Sequence, residues 1–529
     1  MKKLGEDVRE QINEVIKAHK PELESIRGFV AAEPGFRTVN GWIRREPAII
    51  VLVREKLRAD ALLSDEFAPH ALGGFRVDIV PADPWQLLGV DEEHAGLLDQ
   101  YEVAAASTTY QPRPGNPVNQ RFTVNRPMLC HVGPDAGWPT LKRFLEGARD
   151  TLSVAMYDIN ARHVVKSLID VTRSNDLKFT LVWDSGMTGD EPEMRENLKD
   201  KLSTKLDAWV VRTGGGYRFD SAYHSKVAVR DSRSFWLSSG NWSKRSQPDI
   251  DPVSDPASAP GMYSKGNREW HIIVDDEPLA RMFEDYILYD RDQSEEEDTA
   301  LSAFDPMMLP DLFVPIEALL DDGSAALAIA RPFAPRQLPS SRRSFDIQPV
   351  LCPDNYIAQI TQLVKSARAS LYLQFSYITY STAARDVDFQ ALLDYIGELS
   401  HKPDFDLKII VGNNSAQEKV RKLVEAGFNE RCIRVQSNIH NKAIIVDGKV
   451  VLVSSANWSS AGALRNRDAG IIIYEPEVAN YYLEIFLDDW DERARSDFDQ
   501  QYPARLAHEG EPTPPGMARV RWVDYLQED

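Results

Sequence analysis

Residues 440–458 read HNKAIIVDGKVVLVSSANW, and residues 224–242 read HSKVAVRDSRSFWLSSGNW. In both stretches a lysine follows the histidine by two residues, an aspartate follows the lysine by five, a serine follows the aspartate by eight, and an asparagine follows the serine by two. The apolar runs on either side of the aspartate predict a β-hairpin in each copy. Asp447-Gly448 suits a type I′ turn, whereas the first copy has the poorer turn residues Asp231-Ser232-Arg233.

Each predicted hairpin brings one set of polar side chains together. Residues i and i+2 of a strand project from the same face, so the histidine and the lysine of each copy point the same way. The serine and the asparagine that follow the second strand also share a face. The residues concerned are His224, Lys226, Ser239 and Asn241 in the first copy and His440, Lys442, Ser455 and Asn457 in the second. Each copy therefore offers an imidazole, an ammonium group and an amide at one edge.

The duplication extends well beyond the hairpins. The helix-like LKRFLEGARD before TLSVAMYDI in the first half corresponds to ITQLVKSARA before SLYLQFSYI in the second. After each hairpin the chain reads Asn-Arg-acid, followed by an apolar run and a helix-like segment. The copies lie about 220 residues apart, which is too long for a solenoid repeat and matches a whole domain. The alternation of apolar strands and helical segments predicts a duplicated α/β unit with mostly parallel, helix-covered sheets.

The remaining segments divide the chain into six parts. Residues 1–102 match neither copy and predict a small α+β accessory domain, because AIIVLV (48–53) and FRVDIV (75–80) are strand-like. The predicted parts are an accessory domain at 1–102, a Pro/Asn-rich linker at 103–126, a first repeat at 127–291, an inter-repeat connection at 292–345, a second repeat at 346–495 and a C-terminal tail at 496–529.

The composition is that of a soluble globular protein: 43% of the 529 residues are hydrophobic and 27% are charged. No apolar run is long enough for a transmembrane helix, and the first residues lack the apolar centre of a secretory signal. Three cysteines without CxxC spacing favour a reducing compartment and argue against a disulfide framework or a structural zinc site. We therefore expect a cytoplasmic protein whose contact with membranes, where it occurs, is peripheral. The oligomeric state is left open.

The charge distribution points to a focused anion site. The net charge is −20, from 61 Lys and Arg against 81 Asp and Glu, which disfavours a broad surface for coating nucleic acid. In contrast, cations outnumber acids around both hairpins, at 212–245 and 431–467. Two basic islands in an acidic chain indicate that a negatively charged group is bound locally.

Two histidines with lysines and asparagines suit the cleavage of a phosphodiester. One imidazole can attack phosphorus while the other protonates the leaving oxygen, and histidine fits both tasks because its ordinary pKa is near 6.5. The lysines and asparagines can hold the non-bridging oxygens. Glu269 and Asp468 can orient the histidines through the second ring nitrogen, and for Asp231 and Asp447 we favour supporting roles in the turns. Neither step requires a metal or another cofactor, so we predict none.

These residues resemble the phospholipase D superfamily, whose signature is H-x-K-x4-D-x6-G-S-x-N. Both copies match it except at its glycine, where this chain has Ser238 and Ser454. The resemblance covers about residues 127–495. It implies two α/β domains in a pseudo-two-fold arrangement, each with a mixed sheet between helices, and an active site at their interface. It also implies that His224 is the nucleophile and His440 the general acid, an order that the symmetry of the sequence does not decide.

Three functions fit these observations. The leading interpretation is a phosphodiesterase that forms a phosphohistidine and hydrolyses or transfers phospholipid headgroups. The first alternative is a metal-independent nuclease or an enzyme that processes nucleic-acid ends, since the Asn-Trp-Ser context also resembles family nucleases. The second alternative is a non-catalytic anion-binding module, against which the two intact motifs argue. The substrate is accordingly a phosphodiester in either a phospholipid or a nucleic acid.

Overall fold

The structure is a computed structural model that describes residues 3–56, 68–89, 110–115, 117–186, 191–213, 217–296, 310–315, 331–413, 416–498, 504–508 and 510–520. Parts of the predicted linker, inter-repeat connection and C-terminal tail lie outside the described residues. Within the described residues, no helix is both long enough and apolar enough to cross a membrane.

The N-terminal part forms a four-stranded sheet with strand order β1-β2-β4-β3, next to two helices. Its elements are α1 (Glu6–Ala18), α2 (Lys20–Glu24), β1 (Phe29–Val39), β2 (Trp42–Val53), β3 (Ala71–Leu72), β4 (Phe75–Pro81) and α3 (Pro84–Leu88). The two apolar segments predicted as strands lie in β2 and β4, which pair in parallel.

The first half of the duplicated region alternates strands and helices. Its elements are β5 (Phe122–Val124), β6 (Met128–Gly133), α4 (Gly137–Glu146), β7 (Thr151–Met156), α5 (Arg162–Ser174), β8 (Lys178–Asp184), α6 (Glu191–Leu202), β9 (Leu206–Val211), β10 (Lys226–Arg230), β11 (Ser234–Ser238), α7 (Met262–Lys265), β12 (Glu269–Val274) and α8 (Glu277–Asp292). Three short strands follow or lie between the halves: β13 (Glu295–Glu296), β14 (Leu312–Pro315) and β15 (Arg336–Leu338).

The second half repeats this order. Its elements are β16 (Phe345–Cys352), α9 (Tyr356–Ser366), β17 (Ser370–Phe375), α10 (Val387–Leu399), β18 (Asp406–Gly412), α11 (Ala416–Glu425), β19 (Ile433–Gln436), β20 (Lys442–Val446), β21 (Val450–Ser454), α12 (Ser460–Leu464), β22 (Asp468–Tyr474) and α13 (Pro476–Glu492). Two strands, β23 (Arg505–Leu506) and β24 (Met517–Val520), follow it.

The two halves have the same sheet topology. The strand order is β9-β8-β7-β10-β11-β12-β6 in the first sheet and β19-β18-β17-β20-β21-β22-β16 in the second, with β13 and β15 added at the edges of one and β5 at the edge of the other. The prediction of duplicated α/β domains with mixed sheets is therefore confirmed. The prediction of mostly parallel sheets was wrong: β7, β8 and β9 run parallel, but the hairpin strands and the strands beyond them are antiparallel.

The inner faces of both sheets share one apolar core. Val227 and Leu237 of the first sheet belong to the same buried cluster as Ile445 and Val453 of the second, together with side chains of α8 and α13. Separate clusters cover the outer face of each sheet with the other helices. Because apolar residues line both faces of the central strands, each hairpin is held rigidly between two layers.

Segments that are distant in sequence complete the N-terminal part. Strands β14, β23 and β24 form a three-stranded sheet, and its side chains Leu312, Val314 and Leu506 pack with Ile50 and Leu52 of β2. Strands from the predicted connection and tail thus cover the N-terminal sheet. Strand β5 from the predicted linker pairs with β16 of the second half. The domain boundaries themselves stay a prediction.

Candidate active site

The two hairpins form as the sequence predicts and place a lysine at the start of each inner strand. Asp231 and Ser232 have positive φ, as do Asp447 and Gly448, which is the backbone of a type I′ turn. The Asp447 carboxylate accepts backbone N–H groups of residues 368–370, and Asp231 accepts those of residues 149–151, at 2.7–3.2 Å. Both aspartates therefore anchor the hairpin turn to the strand beside it.

Each histidine is held by a carboxylate from the opposite half. His224 Nδ1 donates to Asp468 Oδ1 at 2.8 Å, and His440 Nδ1 donates to Glu269 Oε1 at 2.9 Å. All four side chains are buried. A proton fixed on Nδ1 leaves the Nε2 lone pair of a neutral imidazole free for chemistry. The sequence suggested these carboxylates as partners of the histidines but did not show that the pairs cross between the halves.

Reciprocal backbone hydrogen bonds hold the halves in this register. His224 N donates to Arg467 O at 2.8 Å, and Arg467 N donates to Ala222 O at 2.8 Å. On the other side, His440 N donates to Arg268 O at 3.1 Å, and Arg268 N donates to Asn438 O at 2.7 Å. The arginine that precedes each orienting carboxylate therefore carries the backbone contact to the other half.

The same two arginines form buried ion pairs across the interface. Arg268 pairs with Asp135 of its own half at 2.6 Å and with Asp489 of α13 at 2.9 Å. The arrangement repeats for Arg467, which pairs with Asp354 and with Asp290 of α8, both at 2.6 Å. These arginines were not among the predicted site residues, although their repetition in the Asn-Arg-acid segments was a signal that could have identified them.

Both signature lysines are completely buried. Lys226 Nζ donates to His224 O, and Lys442 Nζ donates to His440 O, each at 2.8 Å. Burial lowers the pKa of Lys226 to about 7, although the negative charges of Asp468 and Glu269 act in the opposite direction. A buried ammonium group that contacts the backbone of the signature histidine is well placed to bind an anion that brings the compensating charge.

The electrostatics differ between the two histidine–carboxylate pairs. Burial, followed by the charge of Lys226, lowers the pKa of His224 to about 4, and the charge of Lys442 from the second half acts in the same direction. Burial raises the pKa of Glu269 to about 8. Because charges from the second half act on a histidine of the first, the two half-sites share one electrostatic field.

The serines and asparagines occupy unequal positions in the two halves. Both serines accept a backbone N–H, Ser239 Oγ from Trp270 at 3.1 Å and Ser455 Oγ from Ala469 at 3.0 Å, but Ser455 Oγ also donates to Asp468 Oδ1 at 2.6 Å. Asn457 Oδ1 accepts from Ser376 Oγ at 2.9 Å. In contrast, Asn241 Oδ1 is buried without a hydrogen-bond partner among the described residues.

The two serines that replace the signature glycine brace the loop after the hairpin. Ser238 Oγ accepts the N–H of Gly240 at 2.8 Å, and Ser454 Oγ accepts the N–H of Ala456 at 3.0 Å. A hydroxyl at this position thus fixes the turn that presents the following serine and asparagine.

One aromatic neighbour was not found from the sequence. The Tyr157 ring packs edge-on against the His224 ring with centroids 4.8 Å apart, and Lys226 Nζ lies 5.2 Å from the centre of the same ring. Tyr157 precedes no recognisable motif, so only the folded chain identifies it. Trp242 and Trp458 are fully buried and pack in the apolar clusters on the outer faces of the two sheets.

Within the part of the chain that the structure describes, no group of three or more His, Cys, Asp or Glu side chains is arranged to hold a metal ion.

A family model supports the relationship indicated by the signature. The domain described as "Cardiolipin synthase, PLD-like domain" matches residues 141–291 and 360–490, which together exceed half of the chain. Each of its two segments contains one hairpin.

Individual relatives match over shorter stretches. A phospholipase D of Rickettsia bellii is 27% identical over 135 residues, 24% of this chain and 60% of that protein. Cardiolipin synthase 2 of Staphylococcus epidermidis is 26% identical over 138 residues, 24% of this chain and 26% of that protein. The chain thus spans less than two thirds of these relatives. A solved phosphatidylserine synthase of Haemophilus influenzae is similar over 80% of this chain and 96% of that one, with a TM-score of 0.44 and 13% identity.

Proposed function

The chain belongs to the phospholipase-D-like domain family, and we propose that it is a phosphodiesterase that works through a phosphohistidine at the interface of its two halves. The observation that carries this proposal is the crossed pairing of His224 with Asp468 and of His440 with Glu269. Each imidazole is fixed through Nδ1 by a carboxylate of the other half, and we propose that the two Nε2 atoms face one phosphoryl group between them.

The first step is attack by His224. Its lowered pKa keeps the imidazole neutral at neutral pH, so the Nε2 lone pair is available as a nucleophile. The Nε2–P bond forms as the bond from phosphorus to the leaving oxygen breaks. Asp468 accepts the Nδ1–H bond and stabilises the positive charge that develops on the ring.

The leaving oxygen takes its proton from His440. The raised pKa of Glu269 lets the Glu269–His440 pair hold an extra proton at neutral pH, and that proton can leave through His440 Nε2. In the second step the neutral His440 accepts a proton from water or from an alcohol. The resulting oxygen nucleophile attacks phosphorus, the N–P bond breaks, and both histidines return to their starting state.

The buried lysines supply the electrostatic stabilisation. Lys226 and Lys442 approach from opposite halves, and their ammonium groups compensate the charge on the non-bridging phosphoryl oxygens. The Asn241 side chain, whose oxygen lacks a partner among the described residues, is free to reorient toward the substrate. None of these steps requires a metal ion.

We propose a phospholipid headgroup as the substrate, removed by hydrolysis or exchanged for another alcohol. This proposal is supported by the matched domain and by relatives that are named phospholipase D and cardiolipin synthase. The acidic net charge of −20 also disfavours a long nucleic acid.

A single panel tests the activity and the substrate. The full chain in EDTA is given bis(p-nitrophenyl) phosphate, phosphatidylglycerol vesicles with and without added glycerol, and single-stranded DNA. We expect turnover of the chromogenic diester and of the phospholipid. We also expect a phosphoryl adduct on His224 in the mass spectrum of enzyme that has been quenched without acid. His224→Ala should abolish both, whereas His19→Ala, at an exposed histidine, serves as the matched control.

Each other outcome contradicts one part of the proposal. Cleavage of DNA without cleavage of the phospholipid would show that the substrate is a nucleic acid and not a phospholipid. Loss of turnover in EDTA would contradict the metal-independent mechanism. Binding of the diester without turnover would show that the protein is an anion-binding module and not a phosphodiesterase.

A further inference from the structure

The two half-sites hold their histidines in different ways, and the difference involves one glycine. In the second half the orienting acid is Asp468, and the residue after the signature serine is Ala456. In the first half the acid is the longer Glu269, and the corresponding residue is Gly240. The acid is thus one methylene longer in the half where the loop residue lacks a methyl group.

The longer acid and the missing methyl group compensate for each other sterically. A methyl group added to Gly240 would lie 1.2 Å from Glu269 Oε2 and 1.9 Å from its carboxyl carbon. The Glu269 carboxylate therefore occupies the volume that a side chain at residue 240 would need. The backbone of Gly240 is outside the positive-φ region, so conformation alone does not require glycine there.

The loop cannot easily move to relieve such a clash. The N–H of Gly240 is bonded to Ser238 Oγ at 2.8 Å, and that hydroxyl is also 2.6 Å from His271 Nδ1. Two residues later, Trp242 N donates to Asp158 O at 3.1 Å, and the indole is fully buried. With the loop held on both sides, the group that must give way is the Glu269 carboxylate.

We infer that Gly240 is a positioning residue for His440: it leaves the space in which Glu269 reaches across the interface and holds the imidazole. The inference rests on the proposed function for its kinetic consequence only. It predicts that residues 240 and 269 must be changed together, because Ala with Asp would reproduce the Ala456–Asp468 combination of the other half.

A double-mutant cycle tests this coupling. Gly240→Ala should lower kcat for bis(p-nitrophenyl) phosphate by up to about 100-fold with little change in KM, since loss of a residue that orients a functional histidine typically has effects of about 10- to 100-fold. Glu269→Asp should also lower kcat. Adding Glu269→Asp to Gly240→Ala should raise kcat at least about tenfold above Gly240→Ala alone and should recover most of the loss in melting temperature.

Gly397→Ala is the matched control. It lies inside helix α10, and a methyl group there would make ordinary contacts of 3.4 Å and more with Phe428. We expect it to leave both kcat and melting temperature close to those of the parent chain.

A spectroscopic readout separates this inference from the proposed activity. In protein labelled with 15N-histidine, the hydrogen-bonded Nδ1–H of His440, assigned with His440→Gln, should give a low-field proton resonance. It should disappear in Gly240→Ala and return in the double variant, whether or not the chain turns over the diester. Persistence of the resonance in Gly240→Ala, or a double variant no better than Gly240→Ala in resonance and melting temperature, would overturn the inference. Absence of turnover in the parent chain would instead overturn the proposed function.

Discussion

The two histidines occupy the same position of the repeated motif, and burial shifts the pKa of a group in each histidine–carboxylate pair. Burial and Lys226 keep His224 neutral, with its pKa lowered to about 4, while burial raises the pKa of Glu269 to about 8 beside His440. A neutral nucleophile and a proton-loaded acid are the two states that the reaction requires. These shifts support our proposal that His224 is the nucleophile and that the proton comes from the Glu269–His440 pair, the order that the family resemblance implied but that the duplicated motif left undecided.

These pKa shifts belong to the free enzyme and predict a bell-shaped pH profile for kcat/KM. Activity should fall toward pH 4 as His224 takes up a proton, and above about pH 8 as the Glu269–His440 pair loses its proton. Measurement of p-nitrophenol release in quenched assays from pH 4 to pH 10 would give both limbs. In Glu269→Gln the limb near pH 8 should disappear, with kcat/KM lowered about 100-fold at the optimum. A Gln variant with an unchanged alkaline limb would contradict the assignment of the acid.

A second pH effect belongs to Lys226. Because its pKa is lowered to about 7 by burial, the free enzyme should lose the positive charge as pH rises through 7. Bound phosphate stabilises the charged form, so kcat/KM should decline from about pH 7 while kcat is maintained to higher pH. Lys226→Met should lower kcat/KM and remove this decline. If the alkaline limbs of kcat and kcat/KM were superimposable, the proposed loss of charge from Lys226 in the free enzyme would be contradicted.

Among the elements, the hairpins were the most predictable. Their alternation, the Asp-Gly turn and the i,i+2 spacing are local features, so the sequence alone indicated the strands, the turn and the shared face of histidine and lysine. The Asp231-Ser232 turn adopts the same positive φ values with poorer turn residues, because the Asp231 carboxylate is tied to three backbone N–H groups of the neighbouring strand.

What the sequence did not show depends on contacts between distant segments. The crossed histidine–carboxylate pairs join residues about 170 to 240 positions apart, and no local pattern specifies such a partner. The sheets are mixed because the first strand of each hairpin pairs antiparallel with a strand of the parallel part. The alternation of strands and helices does not indicate this direction. The short strands β14, β23 and β24 were missed because two to four residues carry no periodicity, and their pairing is decided by the N-terminal sheet that they cover.

The contact between the helix α13 and the first half gives a prediction about stability. Removing Arg268 would leave the buried Asp135 carboxylate without this cation and Asp489 with Arg493 as its remaining ion-pair partner, and breaking a buried ion pair typically costs about 3–5 kcal/mol. Arg268→Ala should therefore lower the free energy of unfolding by about that amount in urea denaturation. Arg281→Ala, which removes an exposed ion pair with Glu277, should change it by less than about 1 kcal/mol. Equal effects of the two variants would show that the buried pairs do not hold the interface.

Across the whole molecule, the accessory part is fastened to the second half by charges and not only by apolar contacts. Glu425 of α11 accepts the backbone N–H of Phe36 in β1 at 3.1 Å and pairs with Arg421 at 2.9 Å. Arg421 and Lys422 in turn pair with Glu33. Since β1 also belongs to the sheet that β14, β23 and β24 cover, this contact joins the N-terminal part, the connection and the tail to the second half of the duplicated region.

The fold as a whole should be destabilised by acid because several buried histidines are neutral in it. Burial lowers the pKa of His131 to about 3 and that of His224 to about 4, and it lowers the pKa of His271 well below its ordinary value. Between pH 6.5 and pH 4 the unfolded chain therefore binds protons that the folded chain does not. By linkage, stability is lost as the pH falls through this interval.

His131 offers the clearest test, because it lies outside the proposed site and stacks on His271 with ring centroids 4.9 Å apart. At about 1.4 kcal/mol for each pKa unit, one such histidine accounts for on the order of 3 kcal/mol of the loss by pH 4. In urea denaturation at several pH values, His131→Leu should lose less stability than the parent chain as the pH falls, so the two curves converge. His19→Gln, at an exposed histidine, should instead run parallel to the parent curve. A parallel curve for His131→Leu as well would show that burial of this neutral imidazole does not cause the acid sensitivity.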